Sequence, residues 1–116
     1  MFLEISSAIN LDVSSWSYLA SYDYGTPILG TFHGSDLLQV FYGILPNYAS
    51  ASIHSYYFSF VYNLDPNTGS GYMNWLQWSA GQQLMNFYAT SAILLADDFR
   101  SDSYNVIVSN FASLHI

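Results

Sequence analysis

Three histidines are the side chains of this sequence that exchange a proton near neutral pH without help from their surroundings. His33 ends a short apolar run and is followed by Gly34, which permits a sharp turn. Functional groups of open α/β sheets gather beyond the carboxyl ends of strands, so His33 is well placed to act as a general base. The pattern alone leaves open that His33 is an ordinary loop residue. His54 stands among aromatic residues and is predicted to be a half-buried packing residue, and the penultimate His115 is predicted to fray.

Several other chemistries lack the residues that they need. There is no cysteine, and hence no thiolate nucleophile, disulfide framework or zinc finger. The histidines are too widely spaced for a metal site and no glycine-rich phosphate loop precedes a lysine, so neither a metal nor a cofactor is predicted. No serine has glycine at both i−2 and i+2, so the chain contains no G-x-S-x-G nucleophile elbow.

Charge and composition restrict the classes of partner. The formal net charge is −7 with a single Lys or Arg, which argues against nucleic-acid binding and against a polybasic membrane-surface patch. Charged residues make up 8% of the 116 residues, against about 25% in ordinary soluble domains. Two interpretations remain open: a neutral, Ser-rich extracellular surface, or a surface that lies largely against other protein. The apolar runs are too short for a transmembrane helix, and the first residues have no basic region typical of a signal peptide.

The hydrophobic pattern predicts a mixture of helices and strands, and therefore an α/β fold. The predicted strands are residues 15–20, 83–88 and 92–95, and the predicted helices are 36–42, 47–62 and about 100–108. Asn47 is the expected N-cap of the long helix, a turn is predicted over 65–69, and residues 73–79 are expected to be irregular. The apolar run 27–32 suits either a strand buried on both faces or a buried loop.

Four further polar and aromatic residues have structural explanations. Asp97 and Asp98 precede the last predicted helix, where capping of the helix N-terminus is the expected role. Trp75 and Trp78 have the spacing of a sugar-stacking pair, although core or partner packing is the simpler expectation.

Several segments resemble, in the same order, the C-terminal part of the type-B carboxylesterase and lipase family, which includes fungal lipases and cholinesterases. The resemblance covers about residues 2–108, and Leu76 stands where the family usually has Pro. The segments are 16–19 (WSYL), 25–36 (GTPILGTFHGSD), 63–67 (NLDPN), 75–78 (WLQW), 83–88 (QLMNFY) and 97–100 (DDFR) followed by a terminal helix.

This resemblance implies the C-terminal portion of an α/β-hydrolase fold, a few late sheet strands with packed helices, so that residues 1–116 form one segment of an esterase or lipase domain. It implies that His33 takes the proton from a nucleophilic serine that lies upstream, and that the loop 27–32 carries this histidine. It assigns no triad role to Glu4. Asp36 stands where relatives carry an acid near the histidine, which suggests that it fixes the loop, with N-capping of the next helix as the alternative.

The resemblance further implies a secreted protein, an ester or lipid substrate in the complete enzyme, no cofactor, no nucleic acid, and a missing N-terminal part of the same fold as the partner. The chain alone is then expected to be nearly inactive. Two alternatives of other classes stay open: a non-catalytic, cholinesterase-like protein, and an aromatic-rich carbohydrate-binding domain.

Overall fold

The computed structural model describes residues 13–44 and 46–114; Glu4 and His115 lie outside the described residues. Helices and a mixed sheet alternate along the chain, which agrees with the predicted α/β class. The strands are β1 (Tyr18–Ala20), β2 (Gln83–Phe87) and β3 (Ala92–Ala96). The helices are α1 (Ser35–Phe41), α2 (Tyr48–Asn63), α3 (Ser101–Ser109) and α4 (Phe111–Leu114), with a 3-10 turn at Trp78–Ala80. None of the described helices is both long and apolar enough to pass through a membrane.

The three strands form one sheet in which β2 lies between the other two. β1 runs parallel to β2, with Tyr18 opposite Met85 and Ala20 opposite Phe87. β3 returns antiparallel to β2. A parallel pair needs a long crossover, and here the chain between β1 and β2 supplies it with α1 and α2. The carboxyl ends of β1 and β2 consequently lie at the same edge of the sheet.

Helix α2 begins where the sequence predicted. The side chain of the N-cap residue Asn47 accepts a hydrogen bond from the Ser50 amide at 2.9 Å, and the Ser50 hydroxyl accepts one from the Asn47 amide at 3.0 Å. This reciprocal pair satisfies two amides at the helix start that have no partner within the helix. The helix ends at Asn63, and the C-cap residue Leu64, with a positive φ of 57°, reverses the chain into the predicted turn.

The buried face of α2 is partly polar. Ile53 and Tyr56 enter the core, but serines occupy neighbouring buried positions and bond to backbone carbonyls. The Ser59 hydroxyl lies 2.7 Å from both the Asp65 and the Thr68 carbonyl oxygens and so ties the turn to the helix. The apolar residues at the other positions of the helical repeat are exposed; they are Tyr57, Phe60 and Val61.

Aromatic rings fill the space between α2 and the sheet. Trp75, which is 6% exposed, stands with its ring centroid 5.2 Å from that of Tyr56 and 5.6 Å from that of Phe87. Tyr18 meets both Trp75 and Phe87 edge to face at 6.0 Å. Such edge-to-face pairs add about 0.5–1.5 kcal/mol to the free energy that burial itself contributes. The segment 73–79, predicted to be irregular, therefore supplies a central core residue.

The apolar run 27–32 is not buried, so the expectation of a buried strand or buried loop is wrong. The segment forms successive tight turns, in which the Leu29 amide donates to the Pro27 carbonyl and the Gly30 amide to the Thr26 carbonyl. Ile28 adopts a positive φ of 76° and is fully exposed. Pro27 and Gly30 favour turns over strands, and this local preference prevails over apolar composition.

Replacement of Tyr56 by Phe tests the link between α2 and the irregular segment. The Tyr56 hydroxyl donates to the Met73 carbonyl, which loses its partner in the variant. We expect the free energy of unfolding to fall by about 1–3 kcal/mol, measured from urea denaturation of the folded protein. Tyr62→Phe, at an exposed position of the same helix, is the matched control and should change it by less than about 0.5 kcal/mol. Equal effects of the two substitutions would contradict the prediction.

The stability should also decrease at high pH. Burial raises the pKa of Tyr56 to about 12. A folded-state pKa above the ordinary value of about 10 means that the contribution to stability is complete below pH 10 and is lost as the pH rises toward 12. We expect the unfolding free energy to decrease over this range. In Tyr56→Phe the slope of unfolding free energy against pH should be shallower, by an amount that corresponds to at most one proton. An unchanged slope in the variant would refute this assignment.

Candidate active site around His33

His33 occupies an exposed turn between β1 and α1. The Ser35 amide donates to the Phe32 carbonyl at 3.1 Å, which closes a four-residue turn around His33 and Gly34. Gly34 has φ 84° and ψ −1°, the values required at the third position of a type II turn and readily adopted by glycine. His33 thus stands at the second position of the turn, with its side chain accessible to solvent.

Two hydrogen bonds close the base of the loop that carries His33. The Tyr22 and Ser35 hydroxyl oxygens lie 3.2 Å apart in a hydrogen bond in which either can donate. The Asp23 amide donates to the Thr31 side-chain oxygen at 3.2 Å. The part of the loop between these links is exposed, so it is the base that holds the loop in place.

The same links place His33 near the end of β1. Tyr22 follows the last residue of β1 by two positions, and Ser35 follows His33 by two. The Ser21 amide still donates to the Phe87 carbonyl at 2.8 Å, so the chain remains on the sheet until just before Tyr22. Through the Tyr22–Ser35 hydrogen bond, His33 is therefore linked to the edge of the sheet at which β1 and β2 both end.

Asp36 lies in the first turn of α1 and is not the N-cap, so N-capping as its role is wrong. Gly34 holds that position and no side chain caps this helix. Burial raises the pKa of Tyr18, and the hydrogen bond with Tyr57 and the nearby charge of Asp36 raise it further. Burial also raises the pKa of Tyr22; the hydrogen bond with Ser35 opposes this shift, and the charge of Asp36 adds to it. The charge of Asp36 therefore acts on two of the tyrosines of this region.

The remaining polar candidates have partners of their own. His54 is exposed rather than half-buried, and its ring meets Phe58 edge to face at 4.5 Å one turn along α2. No group of three or more His, Cys, Asp or Glu that could hold a metal is found in residues 13–44 and 46–114.

The prediction that Asp97 and Asp98 cap the last long helix through their side chains is wrong. The N-cap of α3 is Arg100, and no side chain caps the helix. The Asp97 carboxylate instead accepts the indole N–H of Trp78 at 2.9 Å. Since Trp75 is buried in the core, the two tryptophans do not form an exposed platform for sugar stacking.

The sequence predicted His33 as a candidate base but did not indicate the contact between Tyr22 and Ser35. Their pairing joins residues 13 positions apart, and neither residue belongs to a pattern that predicts a mutual contact. The only available signals were a tyrosine just after a predicted strand and a serine immediately before a predicted helix.

Comparison with known proteins identifies relatives along almost the entire chain. A secreted triacylglycerol lipase of Gibberella zeae is 59% identical over 116 residues, and a secreted lipase of Botryotinia fuckeliana is 56% identical over 118 residues. These matches cover 98% and 100% of this chain but 20% and 21% of the two relatives. Lipase 1 of Geotrichum candidum is 36% identical over 104 residues, 88% of this chain and 17% of its own length. No protein-family profile matches the chain.

The chain belongs to the type-B carboxylesterase and lipase family and matches the C-terminal region of these relatives. It spans about a fifth of their length.

The left-handed conformation of Gly34 gives a test of the turn. In Gly34→Ala, a Cβ would meet no atom within 4 Å, so the cost comes from the backbone alone. We expect a loss of about 1–2 kcal/mol in unfolding free energy, measured by urea denaturation. Gly34→Asn is the control, because asparagine tolerates this conformation better, and it should lose less. A larger loss for asparagine than for alanine would show that the turn geometry is wrong.

Proposed function

We propose that residues 1–116 are the C-terminal segment of a secreted serine carboxylesterase or lipase with the α/β-hydrolase fold, and that His33 is its general base. One observation carries the proposal: an exposed histidine on a turn anchored beside the end of a parallel strand, in a chain 59% identical to a secreted triacylglycerol lipase. An accessible imidazole there can receive a proton from a hydroxyl that the rest of the enzyme brings to the same edge.

His33 would act twice in each half of the reaction. Its unprotonated ring nitrogen takes the proton of the nucleophilic serine as the serine oxygen attacks the ester carbonyl. The resulting imidazolium returns that proton to the alcohol as the ester C–O bond breaks, which leaves an acyl-enzyme. Water then repeats the sequence, with His33 first as base and then as acid, and the carboxylic acid is released.

An open strand edge and exposed apolar side chains among the described residues support the proposal that this segment belongs to a larger enzyme. β1 has β2 as its one hydrogen-bonded neighbour among the described strands, so its other edge is open to a further strand. Helices α3 and α4 have no buried residue. Their exposed apolar side chains, Val106, Ile107, Val108, Phe111 and Leu114, fit burial against the remaining four fifths of a lipase-sized protein.

The substrate class follows from the relatives. We propose an ester with an apolar acyl chain, because the relatives are named as lipases and one as a triacylglycerol lipase. The serine, its acid partner and the oxyanion donors would come from the region that precedes this chain in the family. We also propose secretion, since two relatives are named as secreted.

A chimera tests this function. The matching region of the Botryotinia fuckeliana lipase, 56% identical to this chain, is replaced by residues 1–116, and hydrolysis of a short-chain chromogenic ester is measured. We expect activity in the chimera and a loss of kcat on the order of 10⁴-fold or more in His33→Ala, as for removal of a triad histidine.

The matched control is His54→Ala, which removes the other exposed histidine of the described residues. It should leave kcat within about twofold. A folded chimera that keeps its activity without His33 would falsify the catalytic assignment. A folded chimera that is inactive with His33 intact would favour a non-catalytic relative instead.

A further inference from the structure

The hydrogen bond between the Tyr22 and Ser35 hydroxyls is buried, although it lies beneath an exposed loop. Tyr22 is 5% exposed and Ser35 is 2% exposed, while His33 itself is exposed. A buried hydroxyl pair shielded from competing water holds its geometry more firmly than a surface pair does. The bond at 3.2 Å therefore provides a fixed point two residues from an exposed histidine that would need accurate placement.

Ser35 links this fixed point directly to the turn of His33. Its hydroxyl bonds to Tyr22, and its backbone amide bonds to the Phe32 carbonyl and closes the turn. The residue thus joins the end of β1 to the His33 turn through a side chain and a main-chain group. Loss of the Tyr22–Ser35 bond would leave the turn attached through the chain itself and through the Asp23–Thr31 link further along the loop.

Tyr22 is anchored from its other side by the core. Its ring belongs to the same apolar cluster as Val40 of α1 and Phe87 of β2. A ring buried in a packed core leaves the hydroxyl little freedom to follow a displaced partner. The position of the Ser35 hydroxyl is consequently set by the core and not by the solvent-exposed loop.

We propose that Tyr22 and Ser35 are positioning residues that act through their shared hydrogen bond to hold His33 in reach of the nucleophilic serine. This inference rests on the proposed function of His33. Neither residue touches the substrate. Each sets the distance over which the proton moves, so their loss slows the chemical step and leaves ester binding unchanged. Displacement of a catalytic group by about 1 Å costs up to about a hundredfold in rate.

The test uses the same chimera with Tyr22→Phe, Ser35→Ala and the double variant. Each single substitution should lower kcat by about tenfold while KM stays within about twofold. The double variant should lose no more than either single variant, since both remove one bond. A double loss equal to the product of the single losses would show that the two hydroxyls act independently and would overturn the inference.

Tyr56→Phe is the matched control for a general loss of stability. It removes another buried tyrosine hydroxyl with a backbone partner, Met73, far along the chain from His33. All variants are assayed where intrinsic fluorescence shows them to be folded. Tyr56→Phe should leave kcat within about twofold; an equal loss of kcat in Tyr56→Phe and Tyr22→Phe would also overturn the inference.

The outcomes separate this inference from the function on which it rests. Loss of activity in His33→Ala together with full activity in Tyr22→Phe refutes the positioning role alone. Activity that survives His33→Ala refutes the proposed function itself.

Discussion

The structure depends on a reciprocal set of hydrogen bonds between the entrance of β1 and Trp75. The indole N–H of Trp16 donates to the Trp75 carbonyl at 3.1 Å, and the indole N–H of Trp75 donates to the Ser17 carbonyl at 3.1 Å. The same Ser17 carbonyl also accepts the Met85 amide of β2 at 2.9 Å. β1 has three residues and one strand neighbour among the described strands, so it could not hold its direction through the ladder alone. The indole hydrogen bonds and the ring packing of Trp75 add the contacts that fix the direction of this short strand.

The direction of β1 determines where the loop of His33 leaves the sheet. Parallel pairing with β2 brings both carboxyl ends to one edge, and the Tyr22–Ser35 bond keeps the start of α1 near that edge. The site needs a histidine that is both firmly positioned and exposed, and the loop meets these two requirements in different parts. The base of the loop is buried and bonded, whereas the turn with His33 is exposed and accessible to a second group. An accessible imidazole on an unanchored loop would lose the accuracy that proton transfer needs.

Local signals in the sequence predicted most elements, and non-local contacts explain the rest. Asn47 as a cap and the turn at 65–69 follow from side chains that bond to their own backbone within a few residues. Residues 27–32 are exposed in spite of their apolar composition, because Pro27 and Gly30 favour turns over a buried strand. Asp97 was expected to cap a helix, but it bonds to Trp78 across the end of the β2–β3 hairpin, a contact that no local pattern encodes.

The candidate site shows the same division. The fragment F-H-G-S-D predicted His33 as a candidate base, because a histidine beside a glycine after an apolar run is a local feature. The effect of Asp36 on the pKa of Tyr18 and Tyr22 was not predictable to the same extent, since it depends on where the tertiary structure places α1.

Composition alone left two explanations for the scarcity of charge, and the distribution of exposed apolar side chains favours the second. A neutral surface that faces water needs polar residues spread over it, but α3 and α4 carry several exposed apolar side chains close together along the chain and bury none of them. Single exposed apolar residues are ordinary, whereas a contiguous group indicates a surface that lies against other protein. The core around Trp75, by contrast, consists of described residues that are buried against one another. It is the part that holds β1 and the His33 loop. The proposed enzyme would therefore obtain the placement of its base from interactions inside this segment, while the segment obtains protection of its outer helices from the remainder of the fold.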